Sequence, residues 1–278
     1  MGDLALKPES IAEDVKNLRT WASRFNPTVI FRQYCDQEGF RRADDRKIRK
    51  ALRHSWDHPT LFYSKIGCDV LIVKADNSHE VAGHTHRRLG TGIQPSGDEL
   101  VYLPSDCLES HLPGEYKDIS YEEMRQILLR KPRTEALVAC YCDNFLQLPY
   151  VLEWDGNEML WKRTEYCDIF PEDSGDVVHL AATGPNEPAV CYRDKGALFT
   201  YALYCIDPME PLSLKTIGKR LRDNVAIISR AAGESTDKLC AQHPKVYASR
   251  KMNDPHFFQA LGFYYPSDLD SGVRGDSN

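Results

Sequence analysis

Three short runs made almost entirely of apolar residues constrain the fold of this chain more than any other sequence feature. They are 69–73 (Asp-Val-Leu-Ile-Val), 136–140 (Ala-Leu-Val-Ala-Cys) and 177–182 (Val-Val-His-Leu-Ala-Ala). Runs of this length without polar alternation are typical of β-strands that are buried on both faces. Because such strands occur mainly in parallel sheets, the pattern predicts a mostly parallel sheet with helices packed on both sides.

Segments with helical spacing of apolar residues alternate with these runs. Capping-box patterns, Ser10 with Glu13 and Ser120 with Glu123, predict the starts of two helices. Ser213 precedes the longest periodic segment, whose apolar residues are Leu214, Ile217, Leu221, Val225 and Ile228. The alternation of strands and helices predicts an α/β domain.

The composition excludes several function classes. The 278 residues carry a net charge of −6, which argues against a dedicated nucleic-acid-binding protein, since such proteins normally have a basic face. No run approaches the roughly 18 apolar residues of a transmembrane helix, so no membrane partner is expected. The nine cysteines are odd in number, and their scattered positions do not suggest a disulfide framework. They predict free thiols in a reducing compartment, the cytoplasm or the nucleus.

His84 follows one of the predicted strands, and Cys140 is the last residue of another. In a mostly parallel sheet, sites form beyond the carboxyl ends of the strands, which draws attention to His84 and Cys140. A thiol peptidase needs a cysteine nucleophile and a histidine that removes the thiol proton and later protonates the leaving amine. The two residues are 56 positions apart, close to the offset of about 50 described for caspases. A hydrogen-bonded loop histidine and a buried structural thiol remain the alternative.

From about Ile11 to Phe263, an ordered series of motifs resembles the caspase-like domain of metacaspases, in the style of fungal members. In that family a Gly-His-Gly carries the catalytic histidine, and the strand of the catalytic cysteine is often continued by Asn-Phe-Leu-x-Leu-Pro-Tyr. The corresponding segments are Gly83-His84-Thr85, Gly97-Asp98, Asp106, Cys140-Tyr141-Cys142-Asp143, 144–150 (Asn-Phe-Leu-Gln-Leu-Pro-Tyr), 179–183 with Glu187, 196–203 and 242–249. The run 144–150 fixes the register, so Cys140 corresponds to the catalytic cysteine.

The resemblance implies a cysteine-type endopeptidase whose substrate is a polypeptide. Cys140 and His84 would form the catalytic dyad, the reaction would pass through a thioester, and the backbone amides of Thr85 and Cys140 would bind the oxyanion. It also implies a caspase-like three-layer α/β sandwich over residues 10–266, with a mostly parallel sheet and helices on both faces. Residues 1–9 would form a short preamble, and the polar residues 267–278 a disordered tail.

Several positions depart from the family pattern. Family members cleave after Arg or Lys because acidic residues line the substrate pocket, but the acid two residues before the cysteine is Val138 here, and a polar pocket residue is Ala82. With the loop from Thr183 to Glu187, these residues would shape the pocket. Because a basic side chain would be buried there without a charge partner, we predict no preference for Arg or Lys. Thr85 replaces the oxyanion-hole glycine.

The N-terminal segment departs from the pattern as well. A predicted helix begins at Ser10, where the family has its first strand. We therefore expect the sheet to lack its first strand, with a partner or a missing N-terminal segment completing it. An open strand edge would otherwise be exposed.

Two other interpretations remain. The first is a catalytically inactive caspase-like pseudo-peptidase that acts as a binding or scaffold module. The second is a zinc site, since His84, His86, Cys140 and Cys142 have suitable ligand types, although their one-residue spacing is poor. Calcium activates many members of the family, so the resemblance makes calcium a candidate cofactor, and no other cofactor or metal is expected. The acidic residues that could contribute do not by themselves define a site; they are Asp98, Glu99 and Asp106.

Overall fold

The structure of the chain is a computed structural model that describes part of its length. The described residues are 8–25, 29–34, 46, 49–50, 60–65, 68–74, 92–96, 99–103, 119–129, 136–140, 144–171, 175–184, 187, 190–192, 195–233 and 242–260.

Strands outnumber helices among the described elements. In chain order the strands are β1 (Val29–Tyr34), β2 (Thr60–Lys65), β3 (Cys68–Lys74), β4 (Gly92–Ser96), β5 (Glu99–Leu103), β6 (Ile119–Ser120), β7 (Ala136–Cys140), β8 (Tyr150–Trp154), β9 (Met159–Arg163), β10 (Val177–Ala181), β11 (Cys191–Tyr192), β12 (Gly196–Ala197) and β13 (Lys245–Ala248). The described helices are α1 (Pro8–Phe25), α2 (Tyr121–Leu129), α3 (Leu198–Tyr204), α4 (Leu214–Gly233) and α5 (Phe257–Ala260).

The main sheet contains eight of the described strands, in the order β1-β3-β2-β7-β10-β13-β8-β9. Within it, only the inner pairs β2–β7 and β7–β10 are parallel. The other described pairs are antiparallel, including the whole run β10-β13-β8-β9. The prediction of a mostly parallel, caspase-like three-layer sandwich is therefore wrong. The expectation of a missing first strand belonged to that parallel arrangement and is withdrawn with it, and β1 occupies one edge of the described sheet.

The connections explain why the strand directions differ from the prediction. Two residues separate β2 from β3, and the register pairs Lys65 with Cys68. Four residues separate β8 from β9, and Gly156 in that turn has a φ of 107°. Such short connections join only antiparallel neighbours, because a parallel pair needs a crossover of a dozen or more residues. The Asp155 carboxylate accepts hydrogen bonds from the amides of Asn157 and Glu158, 2.8 and 2.9 Å away, and fixes the second turn.

The positions of the predicted elements are largely confirmed. The three apolar runs form β3, β7 and β10, and the predicted helix starts at Ser120 and Ser213 precede α2 and α4. The Ser120 hydroxyl accepts a hydrogen bond from the Glu123 amide, and the Ser213 hydroxyl accepts one from the Thr216 amide, each at 3.2 Å. Helix α1 begins two residues before the predicted Ser10, since proline is well accommodated in the first turn of a helix.

Both faces of β10 are buried. Val178 and Leu180 belong to a core that includes α1, α3 and α4, whereas Val177, His179 and Ala181 alternate with them and are equally inaccessible. The largest side chains of that core are Trp21, Phe199, Phe257 and Phe258. Burial on both faces, which the apolar run predicted, therefore holds for β10, while the strand directions it suggested do not.

Two further properties relate to the predicted compartment. None of the helices in the described ranges combines the length and apolar character needed to cross a bilayer. Among the cysteines with described side chains, Cys167, Cys191 and Cys205 are free thiols. The cytoplasmic or nuclear compartment and the disordered tail, residues 267–278, stay predictions, and the tail lies outside the described residues.

Candidate active site

Cys140 is the last residue of β7, a strand in the interior of the sheet. It pairs with Ser64 near the end of β2 and with Ala181 at the end of β10, and both neighbouring strands run parallel to β7. Three carboxyl ends therefore meet at one edge of the sheet, although the sheet as a whole is mostly antiparallel. The carboxyl ends of neighbouring parallel strands are a common position for ligand and catalytic sites.

Residues 144–148, which precede β8, form a turn that is fixed by one side chain. The Asn144 amide group donates to the carbonyl oxygen of Leu148 and accepts from the Leu148 amide, each at 2.8 Å. The Gln147 amide donates to the Asn144 carbonyl oxygen at 2.9 Å, and Gln147 has a φ of 49°. Phe145, Leu146 and Leu148 are buried. Residues 144–148, which belong to the motif that aligns Cys140 with the catalytic cysteine of the family, thus form a packed turn before β8.

Replacing Asn144 with aspartate is expected to lower the free energy of unfolding by about 1–3 kcal/mol, since the donor to the Leu148 carbonyl is lost and an oxygen faces an oxygen. Urea unfolding followed by tryptophan fluorescence measures the change. Asn157→Asp is the matched control, because Asn157 is exposed and bonds to Asp155 through its backbone amide, 2.8 Å away. A change below about 0.5 kcal/mol is expected for the control; equal losses in both variants would contradict the role given to the Asn144 side chain.

The loop after β10 lies next to Cys140 and contains two predicted substrate-binding residues. Thr183 is only 2% exposed, whereas Glu187 is partly buried. One oxygen of the Glu187 carboxylate accepts the amides of Gly184 and His243, at 3.0 and 2.9 Å, and the other lies 2.7 Å from Nδ1 of His243. Glu187 therefore holds its own loop against the segment that precedes β13.

These contacts set the ionisation of Glu187. Burial raises the pKa of the carboxyl group, but hydrogen bonds from the His243 amide, the His243 ring and the Gly184 amide together lower it more, so that the pKa lies below its ordinary value of 4.5. A group with a lowered pKa in the folded state stabilises that state above its ordinary pKa. The stabilisation by Glu187 is thus present at neutral pH and is lost as the pH falls below 4.5.

Gln242 connects the two ends of the same loop, although no local sequence pattern marks it as a site residue. It is 5% exposed; its Nε2 donates to the Ala182 carbonyl oxygen, and its Oε1 accepts the Val190 amide, both at 2.9 Å. The bonds span 60 and 52 residues, so local pattern could not predict them. In β12, the backbone amide of Ala197 donates a hydrogen bond to the buried carboxylate of Asp14 in α1, 2.7 Å away.

Val138, the predicted pocket residue on β7, pairs with Phe62 of β2 and with His179 of β10. His179 is fully buried, and its ring centroid lies 5.8 Å from that of Tyr247. The signal for His179 was its presence as a polar residue in the apolar run 177–182, but it was interpreted only as part of a strand. The buried imidazole of His179 therefore neighbours Val138, an apolar residue at a position where the family pattern has an acidic one.

His84, Thr85 and Ala82 lie outside the described residues, as do the zinc and calcium candidates His86, Cys142, Asp98 and Asp106. Strand β3, which precedes His84, is antiparallel to β2, so its end lies at the Ala136 end of β7 and not at the Cys140 end. The nine residues between Lys74 and His84 can span about 30 Å, more than the length of β7, about 13 Å. The dyad and its oxyanion amides stay predictions.

The described residues contain no group of three or more histidine, cysteine or acidic side chains arranged to hold a metal ion. Glu99 belongs to β5, and its predicted companions for calcium lie outside the described ranges. Calcium therefore stays a candidate implied by the resemblance, and zinc stays an alternative interpretation.

Neither a scan against models of known protein families nor a search of curated protein sequences finds a match to this chain. The resemblance to metacaspases thus depends on the residues and motifs of the sequence itself.

Proposed function

We propose that this chain is a cysteine-type endopeptidase that uses Cys140 as nucleophile and His84 as general base and acid. The observation that carries the proposal is the position of Cys140 at the carboxyl end of an inner strand, between the ends of β2 and β10. The proposal depends on this site and on the motif series, and not on a caspase-like fold, because one chemistry occurs on unrelated folds.

The proposed reaction has two steps. Cys140 loses its proton to His84 and attacks the scissile carbonyl, and the tetrahedral intermediate collapses to a thioester as His84 protonates the leaving amine. Water activated by His84 then attacks the thioester, which releases the acid product and restores the thiol. The amides of Thr85 and Cys140 would hold the negative oxygen in both steps.

The test is covalent labelling with a peptidyl acyloxymethyl ketone, a reagent that a peptidase cysteine attacks at its carbonyl-adjacent carbon. Peptide mapping by mass spectrometry then locates the thioether among the nine cysteines, so the other eight act as internal controls. We expect the label on Cys140, and at least about tenfold less of it in His84→Ala, since the thiolate loses its base. A folded protein that carries no label, or carries it equally on several thiols, would contradict the proposal and favour the pseudo-peptidase.

Replacing Val138 with aspartate is expected to raise kcat/KM for peptides with Arg or Lys before the scissile bond by about a hundredfold, because the buried basic group gains a charge partner. Cleavage of a matched peptide pair, with Arg or Leu at that position, measures the effect. Val138→Asn supplies the polarity without the charge and should not produce the gain. If the wild-type protein cleaves after Arg and Val138→Asp abolishes this cleavage, the prediction of the pocket is wrong.

A further inference from the structure

Two loops meet at the carboxyl end of β10, next to Cys140. Because β7, β10 and β13 are neighbours, Ala181 lies between Cys140 on one side and Lys245 on the other. Neighbouring strands are about 4.8 Å apart, so the backbone of Lys245 lies about 10 Å from that of Cys140, and residues 242–244 directly precede Lys245. The described residues of the loop that follows β10 are 182–184, 187 and 190.

The side chain of Gln242 closes that loop at its base. Its donor holds the Ala182 carbonyl and its acceptor holds the Val190 amide, so that one buried amide group joins the two ends. Glu187 adds a second connection, from the middle of the loop to the His243 amide and ring. The described part of the loop is therefore held at Ala182, Gly184 and Val190, and a substrate-binding wall requires such fixed positions.

We propose that Gln242 is a positioning residue that, together with Glu187, holds Ala182, Gly184 and Val190 in place as part of a wall of the substrate site beside Cys140. The inference rests on the proposed peptidase function and assigns a role to a residue outside the catalytic dyad. Gln242 acts through the loop and not on the reacting atoms. Its loss should therefore affect substrate binding more than the chemical step.

The experiment measures kcat and KM for one cleaved peptide. Gln242→Ala is expected to raise KM about tenfold and to change kcat less than about twofold. Ser249→Ala is the matched control, because the Ser249 hydroxyl accepts the Val177 amide at 3.0 Å, a buried bond at the opposite end of the same strand pair. This control should lose stability while KM stays unchanged.

Gln242→Glu gives a readout that a purely structural role would not move. The ionised carboxylate repels the Ala182 carbonyl oxygen, so at pH 8 this variant should behave like Gln242→Ala. A protonated carboxyl can donate to Ala182 and accept from Val190, and burial raises the pKa of a carboxyl group. KM should therefore recover as the pH is lowered toward 5.5, whereas KM of Gln242→Ala should not.

The outcomes separate the two proposals. If the wild-type protein cleaves peptides but KM of both Gln242 variants equals that of Ser249→Ala, the positioning role is overturned and the peptidase stands. If KM of Gln242→Glu shows no recovery at low pH while Gln242→Ala raises KM, the specific hydrogen bonds to Ala182 and Val190 are not the cause. If the wild-type protein neither cleaves peptides nor takes the Cys140 label, both proposals fail.

Discussion

Replacing Cys140 with alanine is expected to reduce peptide cleavage at least about a thousandfold, to the background of the assay, since removal of a nucleophile leaves only residual catalysis by binding and the oxyanion hole. The measurement is digestion of a proteome-derived peptide library, with and without calcium, followed by identification of the cut sites by mass spectrometry. The residues that precede each cut report the preference of the pocket, and the two calcium conditions report the implied cofactor.

Cysteines with described side chains provide the controls for this experiment. Cys191 is partly buried at the start of β11, and Cys205 is exposed after α3. Alanine at either position removes a thiol without touching β7, so both variants should retain the wild-type cut sites. A Cys140→Ala protein that makes the same cuts at a similar rate would rule out the proposed nucleophile.

Replacing Trp21 with alanine is expected to lower the free energy of unfolding by about 3–5 kcal/mol, a large fraction of the stability of a typical domain. Trp21 is fully buried, its Nε1 donates to the Ile206 carbonyl oxygen at 2.8 Å, and its ring meets that of Phe258 edge-on at 5.6 Å. Alanine therefore leaves a cavity between α1 and α5 and a buried carbonyl without this donor. Chemical unfolding in urea, followed by far-ultraviolet circular dichroism, measures the change.

Trp21→Phe separates the two contributions to this loss. Phenylalanine retains a ring against Phe258 and removes only the hydrogen bond and part of the volume, so about 1–3 kcal/mol is expected. If the alanine and phenylalanine variants were equally destabilised, the ring contact between Trp21 and Phe258 would contribute nothing to the free energy of unfolding. If neither lost stability, Trp21 would not belong to the core.

The amino-acid sequence predicts the positions of the strands much better than their directions in the sheet. The runs that form β7 and β10 are apolar because both faces are covered, and burial leaves a clear local signature. Strand direction depends instead on the connections, and the two-residue connection between Lys65 and Cys68 makes β2 and β3 antiparallel. The Asp155-Gly156 turn is an ordinary hairpin signal and makes β8 and β9 antiparallel in the same way.

The candidate site shows a similar division between local and distant information. Cys140 was predicted at a strand end and lies there, because the residues that determine it are contiguous. The role of Glu187 as an acceptor for His243 depends on a contact across 56 residues. No periodicity encodes such a contact, which explains why the sequence indicated the loop after β10 and Glu187 within it, but not the contacts that hold the loop.

The contact between Trp21 and Phe258 has a consequence for synthesis of the chain. The two residues are 237 positions apart, so α1 emerges from the ribosome long before its aromatic partner exists. At about 5–20 residues per second, Trp21 waits roughly 10–50 s for residue 258 to be made. During that interval the ring is an apolar surface available to other nascent chains and to chaperones. The final packing of the first described helix therefore cannot be completed before residue 258 has been made.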